Sequence, residues 1–241
     1  MADGTTRFTW YGHACVEVVT SAGAVILFDP WLGNPLSPRA ADSIRRLDLM
    51  LVTHGHGDHL GDALELAQRL GPTWPAIHEL SVWAGPQAGR ATSVIGMNKG
   101  GTVIAAGLRV TMVRAEHSAG GSTERGATTH LGEPVGFVVE LEDGLRIYHA
   151  GDTDVFGDMA LIRELHRPEL AFLPIGGHYT MDPRGTAKAV ELLGVSRVVP
   201  IHYGTFDALA GTPDQLRSAL KARGLVDVQV ISPQPGETVA L

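Results

Sequence analysis

Apolar residues along this chain fall mostly into short runs separated by glycine, proline and polar clusters, the pattern of many short strands broken by a few helices. Ala14-Cys15-Val16-Glu17-Val18-Val19 and Val25-Ile26-Leu27-Phe28 flank the Gly-containing stretch 20–24 and predict a hairpin, stopped at Asp29-Pro30. Leu47 to Val52 has the length of a buried strand, and Leu60, Ala63, Leu64, Ala67 and Leu70 follow at helical spacing up to the stop at Gly71-Pro72. Residues 74–101, punctuated by Trp74, Pro75, Trp83 and Pro86, read as alternating short strand and helix pieces, with an aromatic stretch at Trp74 and Trp83 exposed for an interface. Residues 107–114 alternate, with Leu108, Val110 and Met112 on one face of a strand. The Gly/Ser/Thr-rich stretch 119–133 reads as a surface loop, either a lid or plain solvent structure.

Farther on, Val135–Leu141 and Leu145–Tyr148 flank Glu142-Asp143-Gly144, a strong hairpin signal. Strands are predicted at 170–175, 197–201 and 228–231, with a polar tail after the last. Asp182-Pro183 opens a helix that Gly194 closes, and Thr212-Pro213-Asp214-Gln215 opens another with a capping box, closed by Gly224. Hairpin, apolar strand and trailing aspartate occur twice, at Asp29 and at Asp152, which reads as a divergent internal duplication. The fold class is α/β, one domain over residues 1–241 with two mixed sheets between outer helices.

Composition narrows the function. Hydrophobic residues make up 44% and charged residues 19%, ample for a core. The net charge of −7 disfavours a general electrostatic grip on long nucleic acid. A single cysteine, Cys15, permits no internal disulfide and reads as a small core residue. The N-terminus lacks the pattern of a secretory signal, and no apolar run reaches membrane-span length, so a cytoplasmic protein is expected.

Candidate chemistry concentrates in Thr53-His54-Gly55-His56-Gly57-Asp58-His59, where four potential ligands fall within six residues between a strand and a helix. A histidine-rich loop can be plain polar surface; this one follows a buried strand, where open sheets collect ligands. Gly55 and Gly57 are expected to let the loop fold tightly. The H-x-H-x-D-H arrangement resembles the signature of the metallo-β-lactamase superfamily. That resemblance implies a four-layer αβ/βα sandwich and further ligands, each just after a strand. His117, Asp152 and His202 stand in such places. Carried over, it implies a three-histidine site of His54, His56 and His117 and a second site of Asp58, His59 and His202, with Asp152 bridging. Gly12-His13-Ala14, Gly151-Asp152-Thr153, Pro174-Ile175-Gly176-Gly177 and Ile201-His202-Tyr203-Gly204 are similar to an uncharacterised branch of metal-dependent hydrolases near the ascorbate-6-phosphate lactonase group.

Imidazole and carboxylate ligands suit zinc first, with manganese, iron or nickel as alternatives. Two such ions lower the pKa of bound water to about 7, so the expected activity is hydrolysis by a bridging hydroxide that Asp152 helps orient. The expected substrate is a small, anionic ester, lactone or phosphodiester. An iron-dependent oxidoreductase and a non-catalytic metal-binding protein are the competing readings. His178 and Tyr179, on a loop after a strand, are candidates to donate to an oxyanion or leaving group, and Asp29 to accept from a ligand imidazole. His13 and His149 read as hydrogen-bonded structural histidines, and His13 also has an alternative role in orienting a neighbour or touching substrate. His78, His130 and His166 have no assignment, and the oligomeric state is not legible.

Overall fold

Alternation and turn chemistry build the first half. In this computed structural model, which describes residues 4–122 and 128–241, β1 (Arg7–Trp10), β2 (Val16–Val19) and β3 (Val25–Phe28) form an antiparallel meander. Cys15 lies just ahead of β2 and is fully buried, as a core residue should be. β4 (Leu49–Leu51) joins β3 in parallel and leads into the ligand-rich turn. The helix expected from Leu60 is two helices, α1 (Gly57–Leu60) and α2 (Ala63–Leu70). The break is at Gly61 (φ 38°), whose Cα lies so close to the Pro30-Trp31 backbone that a Cβ would meet Trp31 Cα at 2.6 Å. There Asp62 N–H donates to Pro30 O and Leu32 N–H to Asp62 Oδ2, fastening the helix to the segment after β3. β5 (Thr73–Ile77), α3 (His78–Ala84) and β6 (Ser93–Met97) complete the parallel part. Trp74 is fully buried and Trp83 packs on the core, so the exposed aromatic surface expected here does not exist.

The second half repeats the plan. β7 (Thr102–Ala105) and β8 (Leu108–Arg114) form a hairpin, and β9 (Gly121–Ser122) pairs with β10 (Thr128–Thr129) in a small ribbon. Residues 123–127 of the proposed lid lie outside the described residues. β11 (Val135–Glu140) and β12 (Arg146–His149) form the Asp-Gly hairpin. α4 (Met159–His166), β13 (Leu170–Pro174), α5 (Pro183–Leu193), β14 (Arg197–Ile201), α6 (Pro213–Ala222) and β15 (Gln229–Val230) alternate as helix and strand. Asp182 caps α5 by accepting from Gly185 N–H, and Thr212 and Gln215 form the reciprocal box at α6. The tail is not merely polar: β16 (Thr238–Ala240) returns to pair antiparallel with β1.

The sheet orders are β16-β1-β2-β3-β4-β5-β6 and β7-β8-β11-β12-β13-β14-β15. Both switch from antiparallel to parallel pairing at the fourth strand of that order, β3 and β12. The sheets meet through one core, with Phe8 against Phe172 and Phe28 stacked on His149 at 4.7 Å. A second core lies under α4, α5 and α6 on the outer face of the second sheet. The result is two mixed sheets flanked by helices, the α/β sandwich expected. Because β1, β3 and β4 run one way, and β8, β12, β13 and β14 likewise, one rim of each sheet gathers the chain after these strands.

Candidate metal centre

The rim brings together what the chain separates. His13 follows β1, Asp29 follows β3, and His54 to His59 follow β4; His117, Asp152, His178 and His202 follow β8, β12, β13 and β14. His54, His56 and His117 each offer a ligand atom within 4.8 Å of the others. His54, His59 and Asp152 form another such group, and His13, Asp58, His59 and His202 a third. Asp152 Oδ2 is the hub: it lies 3.3 Å from His59 Nε2, 3.4 Å from His117 Nε2 and 3.1 Å from His202 Nε2.

Hydrogen bonds away from the centre fix which atoms face it. Asp29 is buried, and its Oδ1 accepts Thr53 N–H at 2.7 Å while its Oδ2 accepts the Thr53 hydroxyl at 2.9 Å. Having donated its proton, Thr53 Oγ1 can only accept from His54 Nδ1 at 3.1 Å. His59 Nδ1 donates to Asp29 Oδ2 at 2.8 Å. Both histidines are thereby held with Nε2 toward the centre, and His54 Nε2 lies 2.8 Å from His56 Nδ1. The left-handed backbone of Asp29 (φ 42°) and of His202 (φ 54°) aims these residues inward, a strain common where function over-determines geometry.

Glycine acts differently from expectation. Neither Gly55 nor Gly57 is left-handed. Gly55 is needed because Leu131 lies over it, where a Cβ would meet Leu131 Cδ1 at 2.8 Å, whereas a Cβ on Gly57 would find open space.

Electrostatics fit a cation. Burial pushes His54, His56 and His117 below the ordinary imidazole pKa, leaving neutral rings with lone pairs at pH 7. Burial also disfavours charge on His59, but Asp152 and Asp29 outweigh it and hold its pKa well above the usual value. That pair of carboxylates favours positive charge at Nε2, whether carried by a proton or by a metal ion. Asp152 stays ionised: burial raises its pKa, and His59 and His202 more than reverse the effect. Among the described residues, His59 Nε2, Asp152 Oδ1 and both ring nitrogens of His202 are buried with no hydrogen-bond partner. Polar atoms left so in a native interior cost free energy unless something binds them, and a bound ion would take up His59 Nε2, Asp152 Oδ1 and the lone-pair nitrogen of His202, though not that ring's N–H.

The other candidates separate. His149 is structural: its Nε2 lies 3.1 Å from Ala14 O and its Nδ1 accepts Gly151 N–H. His178 and Tyr179 are exposed and pair edge-on at 4.3 Å, and among the described residues neither bonds to any of the seven expected ligands. Tyr203 stacks on Trp10 at 5.0 Å. His13 is the residue the sequence undervalued, since its Nε2 lies 3.1 Å from Asp58 Oδ2. The available signal was its position after β1, equivalent to that of His117 after β8. Beside His117 opens a cavity of about 390 Å³ with Lys99, Arg114, Glu116, His130 and Glu133 on its wall.

Comparison with known proteins agrees with this architecture. Residues 25–203 match the family described as Beta-lactamase superfamily domain. The chain is 44% identical to a UPF0173 metal-dependent hydrolase of Koribacter versatilis, over 96% of this chain and 97% of that protein. It is 46% identical to another from Rubrobacter xylanophilus, over 97% and 96%. Among solved structures, Igni18, a metallo hydrolase of the archaeon Ignicoccus hospitalis, superposes with a TM-score of 0.86 at 37% identity, over 98% of both chains. Likeness over nearly the whole length, with the H-x-H-x-D-H turn at the rim of two facing sheets, shows that the chain belongs to the metallo-β-lactamase superfamily, among the UPF0173 metal-dependent hydrolases.

Proposed function

We propose that this protein is a hydrolase whose centre takes two divalent metal ions, zinc by preference. His54, His56 and His117 would hold one ion, Asp58, His59 and His202 the other, and Asp152 both. The observation that carries this reading is the convergence of buried, unpartnered ligand atoms on Asp152. When bound, such ions supply a Lewis acid and water acidified to a pKa of about 7. The chain does the rest: Asp29 and Thr53 fix the ring orientations of His59 and His54, and Asp152 holds a carboxylate where a nucleophilic water must be oriented. His178 and Tyr179 are the candidates for donating to the oxyanion or leaving group from the same rim.

A small substrate suits the 390 Å³ cavity beside His117, within the usual range of small-molecule sites. The two-ion centre would attract an anionic ester, lactone or phosphodiester, while Lys99 and Arg114 on the cavity wall are each paired with a carboxylate, Glu133 and Glu116. The test is metal content by elemental analysis with a panel of a phosphodiester, a lactone, an ester and a thioester. About two ions per chain and turnover of one class are expected. One ion or none, with no turnover, would replace the hydrolase by a binding protein; bound iron with redox activity would replace it by an oxidoreductase.

A further inference from the structure

We infer that the His13 side chain is a positioning residue for the metal centre, holding Asp58 by a hydrogen bond from within the ligand cluster rather than binding an ion itself; the inference rests on the two-ion reading above. His13 is fully buried in the turn after β1 with a left-handed backbone (φ 51°), on the same rim as the ligands. Its ring bridges the two halves of the molecule, with Nε2 3.1 Å from Asp58 Oδ2 and Nδ1 3.0 Å from Thr205 Oγ1. Its carbonyl accepts His202 N–H at 2.8 Å and Trp10 Nε1–H at 2.9 Å, so the residue also fixes the backbone of the last ligand. Trp31 and Phe206 close over the ring edge-on, at 5.1 and 5.7 Å.

Proton placement decides between ligand and support. A carboxylate only accepts, so His13 Nε2 carries a proton toward Asp58. Nδ1 then either accepts the Thr205 hydroxyl or, in a charged ring, donates to it. In both states Asp58 takes up Nε2; a ring protonated at Nδ1 alone, with the Thr205 hydroxyl turned to Tyr203 O, would instead leave the Nε2 lone pair for an ion and make His13 a ligand. His59 Nε2 and both nitrogens of His202 are buried without hydrogen-bond partners, although they belong to the same cluster. The line Thr205, His13, Asp58 therefore has the form of the outer contacts that orient ligating carboxylates, whose loss costs about 10–100-fold in metal affinity.

The test uses the full chain and Zn²⁺ in competition with a chromophoric chelator, with stoichiometry measured at saturation. Wild type, His13→Ala, His13→Gln, Asp58→Ala and the His13→Ala/Asp58→Ala pair are compared as a double-mutant cycle. His13→Ala should keep two ions at saturation while its weaker site loses about 10–100-fold in affinity. His13→Gln, which restores an N–H toward Asp58, should recover part of that loss. In the Asp58→Ala background, removing His13 should change nothing further. Should His13→Ala fail to fold, His13→Gln and Thr205→Val carry the test, and both should weaken the same site. The inference is overturned if His13→Ala binds only one ion at saturation, which would make His13 a ligand, or if its loss is equally large without Asp58. A wild type that binds fewer than two ions would instead refute the two-ion reading, and this inference with it.

Discussion

Asp29 and Asp152 occupy equivalent places, each just beyond the strand at which its sheet turns from antiparallel to parallel, yet they are spent differently. Asp29 uses both oxygens on Thr53 and His59. Asp152 leaves Oδ1 without a hydrogen bond and sets Oδ2 among three imidazoles. His13 and His117, after the equivalent strands β1 and β8, divide in the same way. His13 is saturated by Asp58 and Thr205, whereas His117 faces Asp152 and the cavity. A repeated scaffold thus supplies similar residues twice, and the hydrogen bonds already made decide which copy can bind an ion and which can only orient one.

The sharpest way to break this comparison is to remove each aspartate. Asp152→Ala should lower turnover at least about a thousandfold, roughly 4 kcal/mol at 1.36 kcal/mol per factor of ten. Steady-state kinetics on the responsive substrate will show it, and activity retained within tenfold would end the distinction between the two carboxylates. Asp29→Asn keeps a residue that tolerates the left-handed backbone but removes the charge behind His59. Zinc affinity should fall about 10–100-fold, with activity recovered in excess metal. Failure of excess metal to rescue would make Asp29 a participant in the chemistry.

Smaller effects test the frame around the pair. His149 ends β12 as Phe28 ends β3, and the two rings stack. Burial lowers the pKa of His149 from 6.5, partly opposed by Asp29 and the Ala14 carbonyl. In the unfolded chain the imidazole takes up a proton below about 6.5, while the folded one does not until a lower pH, so this group withdraws stability as pH falls through that window. Each unit of depression is worth about 1.4 kcal/mol. Denaturation midpoints of chelator-treated protein should therefore depend less on pH between 6.5 and 5 in His149→Gln than in wild type. An unchanged slope would show that His149 does not titrate on unfolding in this range. Thr53→Val removes only the hydroxyl link between Asp29 and His54, and should cost about 1 kcal/mol in stability with a small loss of zinc affinity.

Local chemistry was legible in the chain. The Asp143-Gly144 hairpin, the Asp182 cap and the Thr212 box formed as read because each depends on residues a few positions apart. The strand, turn and helix around His54 to His59 were visible for the same reason, although not the interruption at Gly61, which exists because the segment after β3 crosses there. Other features hinge on distant partners. β16 pairs with β1 from the opposite end of the chain, and Trp74 is buried where its local surroundings suggested exposure. The different duties of Asp29, as acceptor from a ligand imidazole, and of Asp152, as a ligand implied by the family resemblance, were read from the chain, whereas His13 as the support of Asp58 was not.

The sequence by itself determined that ligands cluster after strands and which residue types they are, since a motif and its flanking apolar runs are contiguous. Only the tertiary structure decided which of two equivalent residues keeps a free lone pair. That depends on hydrogen bonds closed between groups as far apart as His13 and Thr205. No local pattern encodes them, because such bonds exist only once the two sheets have packed face to face.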